Sequence, residues 1–172
     1  MLKDVLFNKK SSIVDIWIQL IVETYPSRTS GFLKSQKDRF SNPVGFTISS
    51  TAECIYDEII NGSDFGKIKL LLNDIIKIRA IQNFSPSSAI GFIFSLKKVI
   101  RDELGAELSE KKNVDEFSKL ESAIDRIALI AFDLYMEARE KVFKIRVNEI
   151  KAGSFSVNTP VNKGQIKLPG IK

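Results

Sequence analysis

An all-α fold, a multi-helix bundle of about six helices closed by a long C-terminal helix, follows from three features of the sequence. Apolar residues recur at spacings of three and four, which puts them on one face of a helix. Pro, Gly and small polar residues stand where these segments start and stop. No stretch shows the period of two that a half-buried strand requires, and no internal repeat is present.

Each element follows in order. From Ser12 to Tyr25, Ile13, Ile16, Trp17, Leu20, Ile21 and Thr24 share a face, and Pro26 ends the helix. A short helix is expected from Gly31 or Phe32 to Phe40. Asn42 is a natural N-cap with Pro43 in the first turn, and the helix runs to Asn61, with Gly62 as its left-handed stop. Ser63 or Asp64 caps the next helix, whose face is Ile68, Leu71, Leu72, Ile75, Ile78 and Ile81. Ser85 and Pro86 open a helix that ends near Leu104 and Gly105. That helix is apolar on nearly every side, so it is expected to be buried all round. Gly91 within it serves either close helix packing or a pocket. Asn113 and Glu116 have capping-box spacing. The last helix, Val114 to about Lys151, would be about 55 Å long. Phe117, Leu120, Ile124, Ile127, Ala131, Leu134 and Ala138 form a heptad seam on it. Ala128, Phe132, Tyr135 and Val142 form a second stripe. One stripe suits packing on its own domain and the other a partner. The expected organisation is an N-terminal extension over 1–11, a helical domain over 12–151 and a flexible basic tail over 152–172.

Composition narrows the function. The chain has 172 residues, 44% of them hydrophobic and 27% charged, enough for one domain with a real core. No apolar run is long enough for a membrane span and no signal peptide is recognisable, so a cytoplasmic protein without membrane insertion is expected. The net charge of +5 belongs to the ends: residues 1–10 and 151–172 hold seven lysines and one acid, while the body has 19 basic and 20 acidic residues. Without a basic face in the body, no nucleic-acid partner is expected. Histidine is absent, which removes the commonest general base, metal ligand and haem ligand. No enzyme, cofactor or metal site is therefore expected. Cys54, the single cysteine, reads as a small buried hydrophobe.

The candidate ligand-binding residues are Arg79, Gln82, Ser85 and Tyr25. Arg79 and Gln82 share a helix face beside the Ser85–Pro86 start, where free backbone N–H groups attract an anion. Two readings stand. Arg79 and this turn hold a carboxylate or phosphate-like group, or Arg79 pairs with an acid such as Asp74, Asp57 or Glu58. Tyr25 has a polar tip that needs a partner when buried, whereas Trp17 suits core packing. "GSDFGK" lacks the spacing of a phosphate loop. Asp102, Glu103, Glu107 and Glu110 read as a solvated acidic surface. Phe117, Leu120, Ile124, Ile127 and Leu134 are the candidate dimer or partner residues.

"ETYP", "FSNPVG" and "IRAIQNFSPSSAIGFIFSLKKVIRDEL" closely resemble the N-terminal domain of the RsbRD-type sigma-B (RsbT) co-antagonists. Trp17, Tyr25-Pro26, Asn42 to Gly45 and Arg79 to Lys97 match that pattern in order, over roughly residues 12 to 150. The resemblance implies a haem-free, globin-like helical domain that dimerises and precedes a phosphorylatable STAS domain or a histidine kinase core. Neither follows in these 172 residues, so the expectation is an input domain, a homodimer whose output passes through a protein partner: a STAS-domain protein or a kinase. The competing expectation is a structural accessory or assembly protein bound to a subunit of an anaerobic redox complex, with no ligand.

Overall fold

The computed structural model describes residues 1–35 and 40–157. Among them are seven α-helices, one 3-10 turn and no strand, so the all-α bundle with a long last helix is what the chain forms. The helices are α1 (Leu2–Asn8), α2 (Lys10–Glu23), α3 (Ser27–Ser35), α4 (Pro43–Asn61), α5 (Phe65–Ile81), α6 (Pro86–Leu104) and α7 (Lys111–Val157). The 3-10 turn Gly105–Ser109 joins α6 to α7.

The caps explain most boundaries. Asn42 accepts from the Gly45 N–H at 2.8 Å and donates through Nδ2 to the Leu33 carbonyl at 3.1 Å, so one buried side chain starts α4 and ties down α3. Asp64 accepts from the Gly66 and Lys67 N–H groups, which closes "GSDFGK" as a helix cap. Ser85 accepts from the Ser88 N–H and opens α6. Gly62 and Gly105 carry positive φ and terminate α4 and α6.

Periodicity does not announce α1. Its only buried residues, Leu2 and Leu6, stand one turn apart and enter the main core. The Tyr56 hydroxyl donates to the Leu6 carbonyl at 3.0 Å, and the Leu2 N–H donates to Glu116 Oε2 at 3.1 Å. Glu116 is thus occupied by α1. Asn113 donates from Nδ2 to the Glu107 carbonyl and lies inside α7. The capping-box reading of Asn113 and Glu116 therefore fails, because α7 begins at Lys111, three residues before Val114.

The seam of α7 packs on α5 and α6 of its own chain. Phe117, Ile124, Ile127, Ala131 and Leu134 are buried and Leu120 is half-buried. Other expectations are corrected. In α6, Phe94 is exposed and a Cβ added to Gly91 would meet no atom within 4 Å, so Gly91 serves neither close packing nor a pocket there. Cys54 is exposed. On α5, Ile81 also faces outward, because the helix ends there and its core side is filled by Ile76 and Ala80. The tail expected over 152–172 lies, beyond Val157, outside the described residues.

Two substitutions test this account. A Cβ at position 45 would stand 2.1 Å from Asn42 Nδ2. Gly45→Ala must displace that cap, and thermal melting is expected to show a loss of roughly 1–3 kcal/mol. Gly91→Ala meets open space on an exposed helix face and is expected to stabilise by about 0.5–1 kcal/mol, read as a raised Tm.

Candidate functional site

On α5 the buried positions Leu72, Ile75, Ile76, Arg79 and Ala80 fall on one helical stripe. Arg79 is the one charged residue in it, and it is 0% exposed. Its long side chain crosses the core to reach two neighbouring helices. Nη2 donates to the Ile21 carbonyl at 3.3 Å and to Thr24 Oγ1 at 2.9 Å, both at the end of α2. Nη1 donates to the Ser88 carbonyl in the first turn of α6 at 3.0 Å. The guanidinium carbon lies 5.1, 4.8 and 4.7 Å from the ring centres of Tyr25, Phe84 and Phe92, within cation–π range of each.

No carboxylate pairs with Arg79 among the described residues. Asp57 bonds Lys10 at 2.9 Å, Glu58 bonds Lys67 at 2.6 Å, and Asp74 accepts from Asn73. The acid-pairing reading therefore fails. What compensates the charge is dipolar: the carbonyl end of α2, a hydroxyl, a carbonyl of α6 and three π-faces. Burial pulls the Arg79 guanidinium below its ordinary pKa, yet arginine stays charged in proteins. Among the described residues two buried side-chain atoms have no hydrogen-bond partner, Arg79 Nε and the Tyr25 hydroxyl. Burial pushes the Tyr25 phenol up, and the adjacent Arg79 charge only partly opposes this.

The chain builds this cluster from local signals. Pro26 halts α2, and Thr24 and Tyr25 close it with bonds to Ile21 and Val22. After Ile81, Gln82 is the C-cap and Asn83 takes φ +60, the left-handed conformation asparagine tolerates well. The Phe84 N–H then donates back to the Arg79 carbonyl at 3.3 Å, and this Schellman-type closure sets the Phe84 ring over the guanidinium. The turn is also held by α7. The Tyr135 hydroxyl donates to the Phe84 carbonyl, and Arg139 Nη1 donates to Ala80 O at 3.1 Å and Asn83 Oδ1 at 2.9 Å.

The structure thus brings Arg79 and Tyr25 together and leaves Gln82 and Ser85 on the exposed turn beside them. Ser85 is engaged as cap and bonds the Ser88 hydroxyl at 2.8 Å. Trp17 is a core residue: its Nε1 donates to the Phe92 carbonyl at 2.7 Å and its ring stacks on Phe92. Thr24, Phe84, Phe92, Tyr135 and Arg139 belong to the cluster and escaped sequence reading. The one signal for them was "ETYP" and "QNFSP" as chain stops that must meet somewhere. A groove of about 1150 Å³ lies elsewhere, between α1, α2, α3 and α4. Phe7, Lys10, Val14, Leu33 and Phe46 line it, and none of the four candidate residues does.

The family model of the RsbT co-antagonist protein rsbRD N-terminal domain matches residues 11–150. The chain belongs to that family. The RsbRD N-terminal domain is a regulatory domain, and residues 11–150 include α2 to α6, the whole Arg79 cluster and most of α7. The chain is also similar to an uncharacterized protein of Archaeoglobus fulgidus, 25% identical over 149 residues, covering 83% of this chain and 85% of the relative. No solved structure matches. Among the described residues, no helix of this RsbRD N-terminal domain is long and apolar enough to cross a membrane.

Removing an unpartnered buried hydroxyl forfeits no hydrogen bond. Tyr25→Phe is therefore expected to leave stability within about 0.5 kcal/mol or to raise it, by chemical denaturation. Burial also raises the Tyr56 phenol. For Tyr25 and Tyr56 the folded pKa lies above the unfolded value of about 10. Their contribution is complete below that pH and is lost as pH rises toward the folded values. Melting temperature should fall progressively above about pH 10, and less steeply in Tyr25→Phe.

Proposed function

We propose that this chain is a non-catalytic sensory or regulatory domain of the stress-signalling, sigma-factor-regulator type, acting through protein–protein contact as a homodimer. The observation that carries this reading is the outer side of α7. Its inner seam is consumed by α5 and α6, but Leu129, Phe132, Met136 and Phe143 remain exposed on the opposite face. Leu129, Met136 and Phe143 follow one another at heptad spacing. Beyond Arg139, which bonds the α5–α6 turn, every residue from Glu140 to Gly153 except Val142 and Val147 is exposed. A helix projecting this far with bulky apolar side chains favours a helical partner, because water is a poor neighbour for such a stripe. A second copy supplies the same stripe in register, and a STAS-domain protein or a kinase is the partner class that would read the helix. Arg79, Tyr25, Gln82 and Ser85 remain the signal-receiving residues in this reading, and α7 is the element a signal would shift.

Analytical ultracentrifugation tests it. The parent should sediment as a dimer and Leu129→Glu/Phe143→Glu as a folded monomer with an unchanged circular dichroism spectrum. Identical sedimentation of the two proteins would sink the dimer face. Ile127→Asp behaves differently, because Ile127 is wholly buried in the same chain. It should unfold the domain, at a cost above about 4 kcal/mol.

A further inference from the structure

The Arg79 cluster contains a full positive charge, no anion and two unused donors in the core. The Ser88 and Ile21 carbonyls and the Thr24 hydroxyl are engaged by Nη1 and Nη2. Nε–H and the Tyr25 O–H are the two donors left over, on side chains in direct contact. Two adjacent donors backed by a cation match the two oxygens of a carboxylate, the geometry that arginine recognises best. The surroundings are apolar and aromatic, with Tyr25, Phe84 and Phe92 around the charge. Such walls accept a flat or short hydrocarbon body and give nothing to the extra oxygens of a polyvalent anion.

We infer that Arg79 Nε and the Tyr25 hydroxyl form a binding site for a small monocarboxylate, admitted when the Asn83–Phe84 turn lifts. This deepens the regulatory reading above and rests on it for its biological meaning. Phe84 is the half-buried one of the three rings on Arg79, and its ring covers the guanidinium. Its segment is the only link between α5 and α6, and Asn83 in it is held at φ +60. The fastenings of that turn come from α7: Tyr135 on the Phe84 carbonyl, and Arg139 on Ala80 and Asn83. Lifting Phe84 therefore loosens α7 at Tyr135 and Arg139, next to the mostly exposed segment from Glu140. The same bonds that close the site set the position of the output helix. A carboxylate that binds only the lifted state shifts the two-state balance by that difference in affinity.

The test is thermal shift and calorimetric titration of the full chain with sodium acetate, propionate, benzoate and inorganic phosphate, at constant ionic strength with chloride. A monocarboxylate should raise Tm saturably, and Tyr25→Phe, which removes only an unpartnered atom, should weaken binding roughly tenfold or more. Amide exchange should rise at Phe84 and in α7 around Tyr135 to Arg139 when the monocarboxylate is bound. Absence of any monocarboxylate response in the parent overturns the inference and leaves water as the partner of the two donors. Equal responses in parent and Tyr25→Phe, or a response to phosphate alone, overturn it equally. The sedimentation comparison of parent with Leu129→Glu/Phe143→Glu is independent of these results, so failure of the carboxylate site and failure of the dimeric regulatory reading are told apart.

Discussion

Arg79 holds the bundle together at its centre. One guanidinium reaches the end of α2 and the start of α6 from the last turn of α5, and three aromatic rings close around it. Taking such a charge out of water costs several kcal/mol. The fold recovers this with helix-end carbonyls and π-faces, without a carboxylate among the described residues. The arrangement depends on two chain stops meeting: the Thr24–Pro26 end of α2 and the Gln82–Ser85 turn. If either helix ran on by a turn, the carbonyls and rings would miss the charge.

The same cluster organises the outer layer. Phe92 offers its ring to Arg79 and its carbonyl to Trp17 Nε1, so the charge and the indole share one residue of α6. Phe84 offers its ring to Arg79 and its carbonyl to Tyr135, which joins α7 to the cluster. Elsewhere α7 is held by packing of Ile124, Ile127 and Ala131 against α5 and α6, and by the Arg101–Glu121 and Lys97–Asp125 pairs and the Leu2–Glu116 bond. Past Arg139 the residues of α7 are mostly exposed.

Much of the fold was legible because its signals are local. "SNPVG", "NGSDFG" and "NFSPSS" each contain their own cap, and a cap needs only neighbouring atoms to act. The seam of α7 was legible for the same reason, as a spacing along one helix. The use of that seam was not. A heptad stripe serves an intramolecular neighbour or a partner equally well, and only the placement of α5 and α6 shows which. α1 was missed because two leucines are too few to show a period, and Gly91 was misjudged because the exposed side of α6 is itself apolar at Phe94.

At the candidate site the boundary is sharper. The sequence by itself determined that an arginine lies on an apolar helix face beside a capped turn, and that Tyr25 ends a helix with a polar tip to satisfy. Those are properties of periodicity and of proline, asparagine and serine chemistry within a few residues. Only the tertiary structure decided that Arg79 and Tyr25 meet, that Gln82 and Ser85 stay at the surface, and that no described acid reaches the charge. Those outcomes depend on contacts between residues more than fifty positions apart, such as Arg79 with Thr24 and Tyr135 with Phe84. No local rule encodes such distances, because they are set by how the faces of α2, α5, α6 and α7 fill one core.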